Sequence, residues 1–354
     1  MVAKIRVAGR EYAPADIAVL RGRDAAMDDL ADFLEEWFSE SPTVQVQTSG
    51  STGTPKIMHV EKARMEASAR MTCSFLGLEP GDRALLCMPL RYIGAKMMVV
   101  RALVWGLDLY CAQASAHPLG ALGFAPDFLA VTPAQVYSSL ESEDEVALLR
   151  AVRHCIIGGG AIDAKLGAHL REFPNHVWST YGMTETLSHI ALRRLSGSDA
   201  SDWYSPFDGV SLRLTGEGTL AIHAPAVCAE EIVTNDIAEL RGDGRFRILG
   251  RRDNVINSGG VKIQMESIEE QLLPLMPRAF QITAVPDDHY GEVVAMLVEG
   301  EPMDGMGERF ASLHAYSRPK HVFFVSELPR TGSGKPDRAA ARSLAAALTE
   351  KHYG

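Results

Sequence analysis

The densest chemistry in the chain lies in residues 48–56, Thr-Ser-Gly-Ser-Thr-Gly-Thr-Pro-Lys. Hydroxyls, backbone N–H groups and the Lys56 ammonium crowd into this short run. Its glycines let the backbone curl around an anion. A triphosphate needs that density of donors, because its charge is costly to strip of water. The run is not a Walker A loop, which demands Gly-Lys-Ser/Thr; here Pro55 precedes Lys56 and Ile57 follows it. A generic polar turn shares the composition, so the weight falls on residue order and on the strand signal just before it.

Weaker signals follow. Gly158-Gly159-Gly160-Ala161 comes after an apolar run, and a tight turn explains it as well as a ligand does. In Ser179-Thr180-Tyr181-Gly182-Met183-Thr184-Glu185 a Tyr ring can stack on a purine, a Thr hydroxyl can reach a phosphate and a Glu can hold Mg²⁺. A strand end followed by a helix cap is the plain alternative. Asp236, in Thr234-Asn235-Asp236, offers a carboxylate that can accept from both hydroxyls of a diol. Lys335 ends the Gly-rich run Arg330-Thr331-Gly332-Ser333-Gly334-Lys335. In isolation such a lysine is solvated surface.

The elements that must carry these residues show in the periodicity. Residues 24–39 read as a helix capped by Asp24, with Met27, Leu30, Leu34, Trp37 and Phe38 at helical spacing. Val44 and Val46 alternate with glutamines as a short strand ahead of the loop, and a helix over 62–76 stops at Gly77. Strands are predicted at 84–88, 107–111, 128–131, 154–157 and 177–180, with helical stretches between most of them. That alternation predicts an α/β domain of helix-covered sheets. Residues 210–224 predict a hairpin, and 246–249 a strand. A boundary is expected at 251–254, dividing the chain into 1–252 and 253–354, with a surface loop at 302–307.

In the family's order, these motifs resemble the adenylate-forming superfamily of acyl-CoA synthetases, peptide-synthetase adenylation domains and luciferase. The resemblance spans most of the chain from residue 48 onward. It implies a mixed α/β fold, a large N-terminal domain followed by a small mobile α+β C-terminal domain. It implies ATP, Mg²⁺ and coenzyme A as cofactor and co-substrates, and a small carboxylic acid as substrate. It assigns the nucleotide to Thr48, Ser49, Gly50, Ser51, Thr52, Gly53, Gly159, Gly160, Ala161, Tyr181, Gly182, Met183, Asp236 and Arg251. Lys335, Thr184 and Lys56 are the implied catalytic residues, Glu185 the Mg²⁺ ligand, and Asp253 the hinge. The Ser258-Gly259-Gly260 loop is implied on the coenzyme A side. Asn235 departs from the family's Gly; asparagine tolerates left-handed backbone, which would preserve the turn.

Residues 181–193 and the Val131-Thr132-Pro133-Ala134-Gln135 stretch resemble the o-succinylbenzoate–CoA ligase branch, which serves menaquinone biosynthesis. Such a substrate has a second carboxylate, which wants a cation or strong donors in the acyl pocket. Tyr92, Lys96, Ser188 and His189 are assigned to that pocket, with Arg91 as a further candidate. Lys96 either faces a ligand or snorkels from an apolar helix start, and His189 is either a ligand contact or a satisfied core histidine. Tyr92 stands where the family commonly has His. The chain also reaches its phosphate loop earlier than most relatives, so an N-terminal sub-domain is expected to be shortened. A second subunit could complete the entrance, which keeps a homo-oligomer in view. Rivals are a ligase for another aryl or short acid, an adenylation enzyme that loads a carrier protein, and a non-catalytic nucleotide-binding protein.

Bulk properties fit a globular enzyme. The 354 residues carry a net charge of −10 at a pI of about 5.6, unlike the basic excess of a nucleic-acid binder. Five cysteines without paired spacing suggest neither a disulfide framework nor a zinc site. The N-terminus lacks a signal-peptide pattern, and no run is apolar enough for a membrane span, so a cytoplasmic location is expected.

Overall fold

The computed structural model describes residues 4–47, 57–160, 162–331 and 336–353. Its largest sheet has nine strands, with parallel strands at its centre. In spatial order the parallel strands are His176–Gly182, His154–Ile157, Phe128–Val131, Arg83–Leu86, Asp108–Cys111 and Ile5–Val7. Antiparallel strands close both edges. Side chains alternate between two cores. Ala84, Leu86, Phe128, Ala130 and Ile156 face one cluster with the helices Ala25–Phe38, Lys62–Leu76 and Ile93–Trp105. Leu85, Leu129, Cys155 and Ile157 face the other, under the helices Glu143–Ala151 and Ala164–Arg171. Both faces are covered, which is why these strands read as continuous apolar runs.

From Arg83–Leu86 the chain crosses to Asp108–Cys111 on one side, then returns to Phe128–Val131 on the other. Strand order reverses there, and the crevice beyond the carboxyl ends of those strands is where open α/β sheets bind ligands.

Most predicted elements form near their predicted bounds. The Asp24 carboxylate caps the first long helix by accepting from Met27 N at 2.9 Å, and Gly77 ends the second at φ 62°. The strand predicted at 84–88 ends at Leu86, and the one predicted at 177–180 extends over His176–Gly182. Met306–Arg309 forms a helical turn that begins inside the loop expected at 302–307. The strand Ile5–Val7 went unread, because three residues hold too little periodicity to show.

A four-stranded antiparallel sheet follows, made of Ser211–Leu214, Thr219–His223, Ile232–Leu240 and Phe246–Arg251. After the short 3₁₀ turn Arg252–Asn254, a separate five-stranded sheet packs against the helices Met265–Leu272 and Arg338–Tyr353 around cores of its own. No helix among the described residues is long and apolar enough to cross a membrane.

Candidate active site

A cavity of about 460 Å³ opens at the point where strand order reverses. Its walls come from the ends of four parallel strands. Met88 and Pro89 follow the first, Val131 and Thr132 end the second, Gly158 and Gly159 follow the third, and Gly182–Thr184 follow the fourth. The helix Ile93–Trp105 closes it with Tyr92, Ile93, Gly94 and Arg101. Thr132 caps a short helix: its hydroxyl accepts from Gln135 N, and Gln135 Oε1 accepts from Thr132 N. Gln135 Nε2 then donates to Cys87 O and Ser115 O, tying two strand ends together beneath the cavity.

The 179–185 motif is not the start of a long helix. A single 3₁₀ turn, Thr184–Thr186, leads straight back into the antiparallel strand His189–Arg194. The reversal is a γ-turn: Leu187 has φ 65° and ψ −41°, and Ser188 N donates to Thr186 O at 2.7 Å. Such a turn is strained for a leucine. It brings the chain back so close that a Cβ on Gly182 would lie 2.3 Å from Ser188 O. Thr184, Leu187, Ser188 and His189 all line the cavity as a result, while Glu185 is not among its lining residues.

Three of the residues assigned to the nucleotide, Tyr181, Asp236 and Arg251, contact one another, and Tyr181 adjoins the cavity-lining Gly182. Tyr181 OH donates to Asp236 Oδ2 at 2.7 Å, and Arg251 Nη1 donates to Asp236 Oδ1 at 3.1 Å. Asp236 and Arg251 face each other across two antiparallel strands, which fixes the pair. Burial first, and then the Asp236 charge, push the Tyr181 pKa up, so its hydroxyl remains a donor. Arg251 Nη2 reaches on to Asp253 at 2.9 Å. Asn235 lies within the strand Ile232–Leu240 and has no positive φ, so the turn expected there does not form and a left-handed residue is not needed. Its side chain accepts instead from Arg252 at 2.7 Å.

Gly159 lines the cavity, and Gly160 is exposed next to it, close to Pro133. Gly259 and Gly260 form the two-residue turn between Val255–Ser258 and Val261–Gln264, with φ of 57° and 83°. A Cβ on Gly259 would lie 2.9 Å from the Tyr290 ring, so the close approach also calls for glycine. Residues 48–56, Ala161 and Lys335 lie outside the described residues. The strands Thr43–Gln47 and Ile57–Glu61 pair antiparallel on either side of 48–56, and Arg330 pairs with Pro336 on either side of 331–335.

Lys96 does not face this cavity. Its buried ammonium donates to Glu36 Oε2 at 3.2 Å and Gln45 O at 2.7 Å, and rests on the Phe33 ring. At about 100° per residue it points about 140° around the helix from Arg101, whereas Gly94 and Arg101 share a face. Arg91 sits over the Tyr92 ring, 4.9 Å from its centre, and lines a different surface depression.

Sequence reading missed Arg101. It is 1 % exposed, lines the cavity, and donates from Nη2 to Ser188 Oγ at 3.0 Å and Thr72 Oγ1 at 3.5 Å. Its Nε has no partner, and among the described residues no carboxylate pairs with it. Burial brings its pKa down to about 10, so it is still charged at neutral pH. The available signal was an arginine seven residues after Gly94 in a helix that is apolar apart from it and Lys96.

Among the described residues no group of three or more His, Cys, Asp or Glu could cage a metal. Mg²⁺ fits without one, since it is commonly held by one or two carboxylates together with substrate phosphates, and Glu185 is such a carboxylate, next in the chain to the cavity-lining Thr184.

A crevice at the strand-order reversal, a Tyr–Asp–Arg cluster beside it and a small separate C-terminal sheet together define a mixed α/β enzyme of the adenylate-forming class. The family profile described as AMP-binding enzyme matches residues 21–221. The chain belongs to that family, the AMP-forming acid–CoA ligases, which use ATP and coenzyme A. It is similar to a 2-succinylbenzoate–CoA ligase of Bacillus cereus, at 28% identity over 89% of this chain and 72% of that protein. The Bacillus mycoides ligase of the same name is 29% identical over 88% and 72%. Among solved structures, an acyl-CoA synthetase (AMP-forming)/AMP-acid ligase II-like protein from Dyadobacter fermentans is 32% identical. It aligns over 93% of this chain and 97% of its own, with a TM-score of 0.65. The o-succinylbenzoate–CoA synthetase of Bacillus subtilis, solved with its acyl-adenylate, shares the fold at a TM-score of 0.70 and 23% identity, over 83% of this chain and 68% of that one.

Proposed function

We propose that this chain is an ATP-dependent o-succinylbenzoate–CoA ligase, a step of menaquinone biosynthesis. The supporting observation is Arg101: a buried guanidinium in the wall of the cavity, held by neutral groups and, among the described residues, facing no acid of its own. A desolvated cation without a counter-charge is unfavourable in the free protein. A substrate with a second carboxylate offsets that cost on binding and gains a charge-assisted pair. Simple benzoates and fatty acids have nothing to offer Arg101.

In this reading the ring carboxylate meets Arg101 and the succinyl carboxylate lies toward Thr184. A carboxylate is a poor electrophile, so its oxygen first attacks the α-phosphorus of ATP. The bond to pyrophosphate breaks, and the acyl oxygen becomes part of AMP, a good leaving group. Lys335, Lys56 and the Thr184 hydroxyl offset the charge developing on the phosphates. Mg²⁺ at Glu185, when bound, neutralises part of that charge. Asp236 receives the ribose hydroxyls, and Arg251 holds the Asp236 carboxylate toward them. The coenzyme A thiolate then attacks the acyl carbon and AMP leaves. Residues 1–252 and 253–354 act as two domains that turn about Asp253, withdrawing Lys335 and bringing in the Gly259-Gly260 turn.

The test is acid-dependent pyrophosphate release and thioester formation across a panel of acids. o-Succinylbenzoate is expected to support both. If benzoate or a fatty acid turns over well and o-succinylbenzoate is ignored, the substrate is wrong; release of free phosphate would mark a different class of enzyme.

A further inference from the structure

Three elements meet behind Arg101 and contribute only neutral groups. His189, at the start of its strand, places Nε2 3.0 Å from Thr72 Oγ1 and Nδ1 3.2 Å from Ser188 Oγ. Thr72, on the helix Lys62–Leu76, donates its single hydroxyl proton to Ser68 O at 3.2 Å. Its oxygen therefore faces His189 as an acceptor, which puts the imidazole proton on Nε2 and leaves Nδ1 bare. Ser188 must then donate to Nδ1, and its lone pairs receive Arg101 Nη2 at 3.0 Å. Arg101 also reaches Thr72 Oγ1 at 3.5 Å, closing a ring of four side chains. Thr72 and Arg101 are almost fully buried, and His189 is 7 % exposed.

We propose that His189 is a positioning residue of the acyl site: as its neutral Nε2–H tautomer it fixes the Ser188 hydroxyl, and through Ser188 it sets the guanidinium of Arg101 for a substrate carboxylate. The proposal rests on reading Arg101 as that carboxylate's partner. An acid in place of His189 would orient Arg101 equally well but would cancel its charge. A neutral acceptor chain orients the cation and leaves its charge for the ligand. A protonated imidazole would give two donors, deny Ser188 its acceptor and set a second cation against Arg101. Burial and the Arg101 charge hold the His189 pKa well below its ordinary value, which keeps the ring neutral. Without Nδ1 the Ser188 hydroxyl rotates freely, and a two-point pairing of guanidinium with carboxylate tolerates little misplacement.

Four variants test this: His189→Phe, His189→Gln, Thr72→Val and, as reference, Arg101→Met. Each is assayed with o-succinylbenzoate and with 4-oxo-4-phenylbutanoate, which lacks the ring carboxylate. His189→Phe and Thr72→Val are expected to raise the KM for o-succinylbenzoate about tenfold. For Thr72→Val, at a position that does not line the cavity, the KM for ATP and the kinetics with the monocarboxylate should stay within about twofold, whereas His189→Phe alters the cavity wall and is read from the ratio of the two acids. Glutamine, with one donor and one acceptor, should recover most of the loss. Nitrogen NMR of the wild type should show His189 protonated at Nε2 and accepting at Nδ1, and Thr72→Val should abolish that fixed tautomer. Thr72→Val keeps the side-chain shape, so it and the tautomer measurement decide the matter if His189→Phe does not fold. An Nδ1–H tautomer, or equal losses with both acids, overturns the proposal. If Arg101→Met separates the two acids and neither His189→Phe nor Thr72→Val does, the Arg101 reading stands and the role of His189 is overturned. If Arg101→Met does not separate them, the carboxylate reading itself fails and this proposal falls with it.

Discussion

Replacing Arg101 by methionine should make the enzyme worse and the protein slightly more stable. Methionine fills much of the same volume and removes the charge. In the bound state the ring carboxylate of o-succinylbenzoate loses its partner. Removing one member of a buried charged pair costs about 3–5 kcal/mol, so kcat/KM for this acid should fall by about 10²- to 10⁴-fold. The monocarboxylate analogue never meets the guanidinium and should change by less than about threefold. In the free protein the sign reverses. Burial lowers the Arg101 pKa from 12.5 to about 10, which corresponds to a penalty of about 3 kcal/mol for keeping it charged. The hydrogen bond lost to Ser188, at 3.0 Å, is charge-assisted and returns about 2 kcal/mol, and the contact to Thr72, at 3.5 Å, returns little. The net gain is about 1 kcal/mol, a Tm rise of about 2 °C for a protein of this size. The folded state depresses the pKa of a base, so the penalty is fully present at pH 7 and fades as pH rises through about 10. Steady-state kinetics with both acids, together with thermal unfolding at pH 7, read both effects. A variant that melts several degrees lower and loses the two acids equally would refute the reasoning, because Arg101 would then be a structural residue.

Two further outcomes are expected, the first from the role the resemblance gives Lys335 and the second from the geometry at Gly182. Lys335→Ala should cripple acid-dependent pyrophosphate release, by about 10²-fold or more, yet spare thioester formation from supplied acyl-AMP; equal loss of both half-reactions would contradict a domain that withdraws this lysine. Gly182→Ala sets a methyl 2.3 Å from Ser188 O and should destabilise the protein by about 2–3 kcal/mol in urea unfolding, with wild-type stability counting against the tight return described for the 3₁₀ turn.

Some of this was open to reading along the chain because its cause is local. The cap at Asp24, the stop at Gly77 and the strand at Phe128–Val131 each depend on neighbours a few residues away. The order of residues 48–56, 179–185 and Asp236 carried the family resemblance for the same kind of reason: phosphate, ribose and metal each demand particular donors and acceptors. The direction of a side chain is a different matter. Lys96 and Arg101 are both cations in one apolar helix, and only the packing of that helix turns one toward Glu36 and Gln45 and the other into the cavity.

By itself, then, the amino-acid order determined that the chain is an α/β enzyme that activates acids through a nucleotide. Local patterning suffices for the fold class, and the chemistry came through the family resemblance that residues 48–56, 179–185 and Asp236 carry. The fold decided which residues meet: that Tyr181 and Arg251 grip opposite oxygens of Asp236, and that Thr72, Arg101 and His189, far apart in the chain, close one ring behind the acyl cavity. Those meetings depend on strand register and helix rotation, which long-range burial sets and short-range pattern cannot encode.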